Sequence, residues 1–195
     1  SLVEAKRAMG QMAREVGRHA PVTFTAFFIF GIAKALEEFP IINSSIGGDT
    51  IHYHPDIHIG IVTDNLDGGL LIPVVRNANQ KTIQEISDEL FRLKIAARDK
   101  KLSRKDTEGC TFAISNAGTF GSLMGTPIIS PPNVGILALG KIQRRPVVQM
   151  VKGVESVVIR DTMFLCFSFD HRVINGSIAE SFLNKVNSYF SRPIP

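Results

Sequence analysis

The sequence predicts an α+β domain: a mixed sheet with helices packed against one side. Two observations carry this. Helical and strand-like stretches are interspersed without the regular strand–helix–strand alternation of a doubly wound parallel sheet. The helical stretches carry apolar stripes at three-four spacing, whereas the strand-like ones are short, apolar and bounded by turn residues. At 195 residues the chain has the size of one domain with a sizeable core.

The elements follow in order. Leu2, Ala5, Met9, Met12 and Val16 share one face of a first helix over 2–16. A second helix runs over 23–38 and stops before Pro40. Its apolar stretch 24–36 is interrupted by Thr25, Gly31 and Lys34, so it reads as a buried helix and not a membrane span. Strands are expected over 51–54, 57–63 and 70–76, with Asn65, Asp67, Gly68 and Gly69 turning the chain between the last two. A third helix starts at Thr82, where Glu85 completes a capping box. Ile83, Ile86, Leu90, Leu93 and Ala97 form its stripe, and Ser103 to Asp106 repeats the capping signal. Further strands are expected over 111–115, 134–139, 147–151, 156–159 and 163–169, and a last helix over 177–190. The stretch 116–132 holds three glycines and three prolines among recurring apolar residues, which reads as a structured loop.

Composition narrows the function. The net charge of +4 is small, and basic runs such as Arg98-Asp99-Lys100-Lys101 carry acids within them. That describes a solvated surface, not a nucleic-acid or membrane footprint. Cys110 and Cys166 form no paired motif and read as reduced, buried thiols. His52, His54 and His58 approach a metal spacing, but Pro55 interrupts the strand and only Asp56 stands nearby, so no metal is expected. Gly118 and Gly121 lack the lysine of a phosphate loop.

The richest stretch for chemistry is FSFDHRVING, 167–176. An apolar strand ends in Asp170, His171 and Arg172, and a glycine then opens a helix. Strand ends aim side chains rigidly into clefts, and imidazole is base and acid near neutral pH. From the residues alone two readings stand: a catalytic histidine, or one satisfied in a turn between an Asp–Arg pair.

The run DHRVING, 170–176, resembles the D-H-R-x-x-[DN]-G signature of dihydrolipoamide acyltransferases, and the looser H-x-x-x-D-G of chloramphenicol acetyltransferases, with Asn175 where many relatives have Asp. Four more runs resemble family motifs in the same order: PIINSS at 40–45, GLLIPV at 69–74, TFAISNAGTFG at 111–121 and TPIISPP at 126–132. The resemblance implies a chloramphenicol acetyltransferase-like, two-layer mixed-sheet fold, with 1–195 as the catalytic domain. On that footing the chain is truncated at its N-terminus and lacks the lipoyl and subunit-binding domains.

It further implies acyl transfer between dihydrolipoamide and coenzyme A. Gly121 to Pro127 resembles the succinyltransferase branch, which serves the 2-oxoglutarate dehydrogenase complex; acetyl and branched-chain acyl groups are the alternatives. A drug-type acetyltransferase and a non-catalytic core homologue are the competing readings. By position, His171 matches the general base and Ser115 the oxyanion donor. Asn175 is assigned to positioning, and Asp170 and Arg172 to structural support. Coenzyme A would be a substrate, its contact residues unassigned, and the lipoyl group would arrive on a separate domain; no metal is needed. Family trimers place the site between neighbours and build a cubic or icosahedral core. The other components, a 2-oxoacid decarboxylase and dihydrolipoamide dehydrogenase, would bind through the absent domains, in the bacterial cytoplasm or mitochondrial matrix.

Overall fold

The computed structural model describes residues 22–64 and 68–191. The helix expected over 2–16 and the turn residues Asn65 and Asp67 lie outside them.

Helix α1 (Phe24–Glu38) starts at Thr23, whose Oγ1 accepts from the Ala26 N–H at 3.2 Å. Ala26, Ile29, Ile32, Ala33 and Ala35 are completely buried, so this apolar helix is the centre of the core. No described helix is long and apolar enough to cross a membrane. Strands β1 (Ser44–Gly47) and β2 (Thr50–Tyr53) form a small antiparallel pair. Next come β3 (Ile59–Asp64), β4 (Leu70–Leu71) and β5 (Val74–Val75).

The strand expected over 70–76 is thus two short pieces, each antiparallel to β3. Pro73 lies between them; it has no N–H to donate to a ladder. Helix α2 (Ile83–Arg98) begins with the expected capping box: the Thr82 N–H donates to Glu85 Oε2 at 2.7 Å, and the Glu85 N–H to Thr82 Oγ1 at 3.3 Å. Ser103 and Asp106 make a second box at the short helix α3 (Arg104–Thr107).

The remaining elements are β6 (Phe112–Ser115), β7 (Gly135–Leu139), β8 (Gln143–Val151), β9 (Val154–Thr162), β10 (Leu165–Phe169) and α4 (Gly176–Ser191). The central sheet runs β10-β7-β6-β3-β4, with β5 also on β3. Its middle strands β3, β6 and β7 are parallel, and β10 is antiparallel to β7. The α+β expectation holds. Alternation decides the faces: Phe112, Ile114, Leu137, Leu139 and Phe167 join the helices' core. The intervening residues, Ala113, Ser115, Ala138 and Cys166, point the other way.

Strands β8 and β9 form a separate ribbon of nine register pairs, longer than the apolar runs 147–151 and 156–159 suggested. Both faces are largely in solvent; Val148 is 69% exposed and Val157 72%.

Candidate active site

The ladder between β10 and β7 ends with Phe169 opposite Gly135, and the Asp170 N–H adds one more bond to the Val134 carbonyl at 2.8 Å. The chain then turns tightly: the N–H groups of Val173 and Ile174 both donate to the Asp170 carbonyl. Ile174 is fully buried and pins the turn to the core. Within the turn, Arg172 binds Asp170 bidentately, with Nε 3.0 Å from Oδ1 and Nη2 2.6 Å from Oδ2. The Arg172 backbone N–H adds a third donor to Oδ1 at 3.0 Å. Asp170 and Arg172 therefore clasp each other across His171, which stands exposed between them.

That clasp lowers the Asp170 carboxyl from its ordinary 3.8 to about 2, chiefly through the Arg172 side chain and then its N–H. A depressed acid stabilises the fold above its ordinary value, and the contribution is lost only as pH falls through the lowered one. A carboxyl-carbon NMR titration is expected to find Asp170 still ionised at about pH 3; a midpoint near 4 would show that the clasp does not persist in solution.

Asn175 caps α4. Its Oδ1 accepts from the Ile178 N–H at 2.9 Å and from the Ser177 hydroxyl at 2.8 Å. A backbone N–H can only donate, so the amide orientation is fixed: oxygen on the helix, Nδ2 turned away from it with no acceptor among the described residues. No hydrogen bond reaches the imidazole of His171 among the described residues. Its ring lies against Phe169, centroids 5.6 Å apart.

Ser115 is elsewhere. It ends β6, half-buried, paired with Val62 on one side and Ala138 on the other. Ala138 in turn faces Cys166, at the start of β10. Asp170 is four residues further along β10, so it lies about 13 Å away along the strands and two strand spacings across, roughly 16 Å in all. One chain brings His171, Asn175, Asp170 and Arg172 together, and holds Ser115 apart from them.

The other histidines are engaged separately. His52 Nε2 lies 3.0 Å from Thr50 Oγ1, and His54 Nε2 lies 3.0 Å from Ser45 Oγ. His58 Nδ1 accepts from the Asn77 N–H at 3.1 Å. Burial is the main cause lowering the pKa of both His54 and His58. Among the described residues no group of three or more His, Cys, Asp or Glu could hold a metal ion. Both cysteines are free and partly buried, and burial pushes the Cys110 thiol up, which suits an inert thiol. A cleft of about 360 Å³ opens at the root of the β8–β9 ribbon, lined by Lys141, Arg145 and Phe164 among others. The Arg145 guanidinium sits 5.6 Å over the Phe164 ring. Two cations beside an aromatic face can hold a ligand that carries both phosphate and a flat ring.

The family model described as 2-oxoacid dehydrogenases acyltransferase (catalytic domain) matches residues 1–194. The chain belongs to this acyltransferase family. The succinyltransferase component of the 2-oxoglutarate dehydrogenase complex of Pseudomonas aeruginosa is 42% identical over 170 residues, 87% of this chain and 40% of its own. The lipoamide acyltransferase component of the branched-chain alpha-keto acid dehydrogenase complex of Bacillus subtilis is also 42% identical, over 85% of this chain and 38% of its own. The chain thus spans about two fifths of the length of these relatives. Among solved structures, a probable dihydrolipoamide acetyltransferase from Listeria monocytogenes superposes with TM-score 0.89 at 37% identity, covering 97% of this chain and 79% of that one. The cubic core of a pyruvate dehydrogenase multienzyme complex and the dihydrolipoamide acetyltransferase of Azotobacter vinelandii each give 0.87 at 33%, over 96% and 75%. The Azotobacter structure concerns the catalytic roles of one Ser, one His and one Asn. A chloramphenicol acetyltransferase at 18% identity and TM-score 0.52, over 92% of this chain and 81% of that one, shares the fold.

In this acyltransferase domain two features escaped sequence reasoning. One is the cap: Asn175 stands three residues before Ile178 at a helix start, a spacing that signals an N-cap. The other is the alternation of Phe167 and Phe169 on one side of β10, with the His171 ring lying against Phe169 just beyond the strand end.

Proposed function

We propose that this domain transfers an acyl group between dihydrolipoamide and coenzyme A, with His171 as general base, at a site shared by two copies of the chain. The observation that carries the reading is the separation of Ser115 from the histidine turn: Ser115 ends β6, and Asp170, the residue before His171, lies roughly 16 Å from it by strand geometry. Neighbouring subunits in a ring can join one copy's His171 to the next copy's Ser115. The Azotobacter enzyme supports the assignment, since its His and Asn stand four residues apart, as do His171 and Asn175.

The chemistry follows from the groups. A free thiol has a pKa near 8.5 and is mostly protonated at neutral pH. His171 takes that proton as sulfur attacks the thioester carbonyl; one C–S bond forms and the oxygen becomes an oxyanion. The Ser115 hydroxyl of the neighbouring copy donates to that oxygen. Collapse breaks the second C–S bond, and His171 returns its proton to the departing sulfur. Asn175 contributes Nδ2 as a further donor. The Asp170–Arg172 clasp fixes the turn. The cleft at Lys141 and Arg145 suits the phosphate end of coenzyme A, and no metal takes part.

Asn175 separates structure from chemistry. Asn175→Asp keeps the cap, and a carboxylate suits a helix N-terminus, so stability is expected to hold or rise by about 0.3–1 kcal/mol. The donor is lost, and transfer is expected to fall about 10- to 100-fold. Unchanged kcat in Asn175→Asp would remove Nδ2 from the mechanism.

Succinyl is the proposed acyl group, from the likeness of 121–127 to the succinyltransferase branch and the succinyltransferase relatives. The Bacillus subtilis branched-chain relative, equally identical, keeps a branched acyl group as the second reading. The assembled form is proposed to be a homotrimer within a larger core. The decarboxylase and dihydrolipoamide dehydrogenase components would be recruited through segments outside this chain, in a bacterial cytoplasm. The deciding experiment assays succinyl-, acetyl- and isobutyryl-coenzyme A against dihydrolipoamide, with chloramphenicol as a competing acceptor. Acetylation of the drug without lipoamide turnover would refute the proposal.

A further inference from the structure

We propose that Phe169 is a positioning residue for His171, the last support in a stack of rings that runs from the core to the imidazole. This rests on the acyl-transfer reading for its consequence, but the geometry stands apart from it. Phe182 on α4 and Phe112 on β6 are fully buried, with centroids 5.8 Å apart. Phe167 lies 5.2 Å from Phe182 and 6.1 Å from Phe112. Phe169 lies 5.3 Å from Phe167, and His171 lies 5.6 Å from Phe169 with the planes tilted by 37°.

The strand's two-residue period sets this row, since Phe167 and Phe169 project from the same face of β10 and His171 continues it past the strand end. The base of the row is fully buried. A Cβ on Gly135 would come within 2.7 Å of the Phe167 ring, so that ring lies directly on the backbone of β7. Each ring is thereby held by the one below it.

The imidazole has no hydrogen bond among the described residues, and its ring contact there is with Phe169. A base must meet its proton in a narrow geometry, and a displacement of about 1 Å can cost on the order of 100-fold in rate. The face of a phenyl ring also favours the imidazolium that forms during proton transfer. Phe169 acts through His171 and touches no reacting atom.

The test uses Phe169→Leu and Phe169→Met, which keep apolar volume but remove the ring, and Phe169→Tyr, which restores it. The first two are expected to lower kcat about 10- to 100-fold with KM for acyl-coenzyme A unchanged, and Phe169→Tyr to stay within about 3-fold of the parent. A kcat within about 2-fold of the parent in either folded ring-less variant would overturn the proposal. In parallel, the assembled protein is labelled with 13C-histidine. The His171 ring signal, shifted by the ring current of Phe169, is expected to move in Phe169→Leu; an unmoved signal overturns the proposal whatever the transfer assay shows. Absence of transfer by the parent protein would sink the acyl-transfer reading, and the NMR signal would still decide whether Phe169 holds the imidazole.

Discussion

His171→Ala is expected to reduce acyl transfer by about 10²- to 10⁴-fold, the usual contribution of a positioned general base. Ser115→Ala is expected to cost about 10²- to 10³-fold through the lost oxyanion donor. Neither change should unfold the protein: His171 is exposed, and Ser115 ends its strand half-buried. The mixture is the decisive arm. In a ring where each site takes His171 from one copy and Ser115 from the next, a random half-and-half assembly of the two variants restores about one site in four. Co-expression with two affinity tags, followed by selection for both, measures this. Activity of the mixed assembly no greater than that of either parent would place both groups in one chain's site, against the register of β6, β7 and β10.

Phe182→Ala is expected to destabilise the fold by about 3–5 kcal/mol, the range for removing a fully buried aromatic ring. The ring joins three elements: Phe39 after α1 at 5.9 Å, Phe112 on β6 at 5.8 Å and Phe167 on β10 at 5.2 Å. Its removal leaves a cavity between helix α4 and the sheet that no neighbour is free to fill, since Phe112 is itself completely buried. For a domain of this size the thermal midpoint should fall by roughly 6–20 °C at fixed protein concentration. A drop of only a few degrees would mean that α4 is not fixed to the sheet through this residue. Transfer should fall as well, because Phe182 supports Phe167 and so the row of rings that ends at His171.

What was legible in the sequence was mostly local. Thr82 and Ser103 each sit where a helix starts, and each reads as a cap from an acid three residues on. The histidine turn could be read the same way, because strand, turn and helix follow one another within about ten positions. Pairing was harder. The strand β1 carries Ser44, Ser45 and Gly47, which have little strand preference of their own; it forms because β2 offers a partner. The ribbon runs past its apolar residues to Arg144 opposite Asp161 and Gln143 opposite Thr162, since a ladder bonds backbone regardless of side chain. The distance from Ser115 to His171 depends on the registers of two strand pairs at once, and neither register is written in a motif. The likeness to known acyltransferases therefore nominated the groups, while the distance one chain puts between them had to come from the strand registers.

The β8–β9 ribbon has a consequence for the chain while it is being made. Val148, Met150, Val157 and Ile159 stand in water on a two-stranded sheet with open edges, the arrangement that templates unwanted strand addition between chains. Positions 143–162 also carry Arg144, Arg145, Lys152, Glu155, Arg160 and Asp161, and Pro146 leaves a gap in the row of donors. Charges and a proline spaced through an apolar ribbon act as gatekeepers: they keep newly made chains from stacking into fibres before correct neighbours arrive. Solubility during synthesis thus depends on residues of a strand pair separate from the sheet that carries the His171 turn.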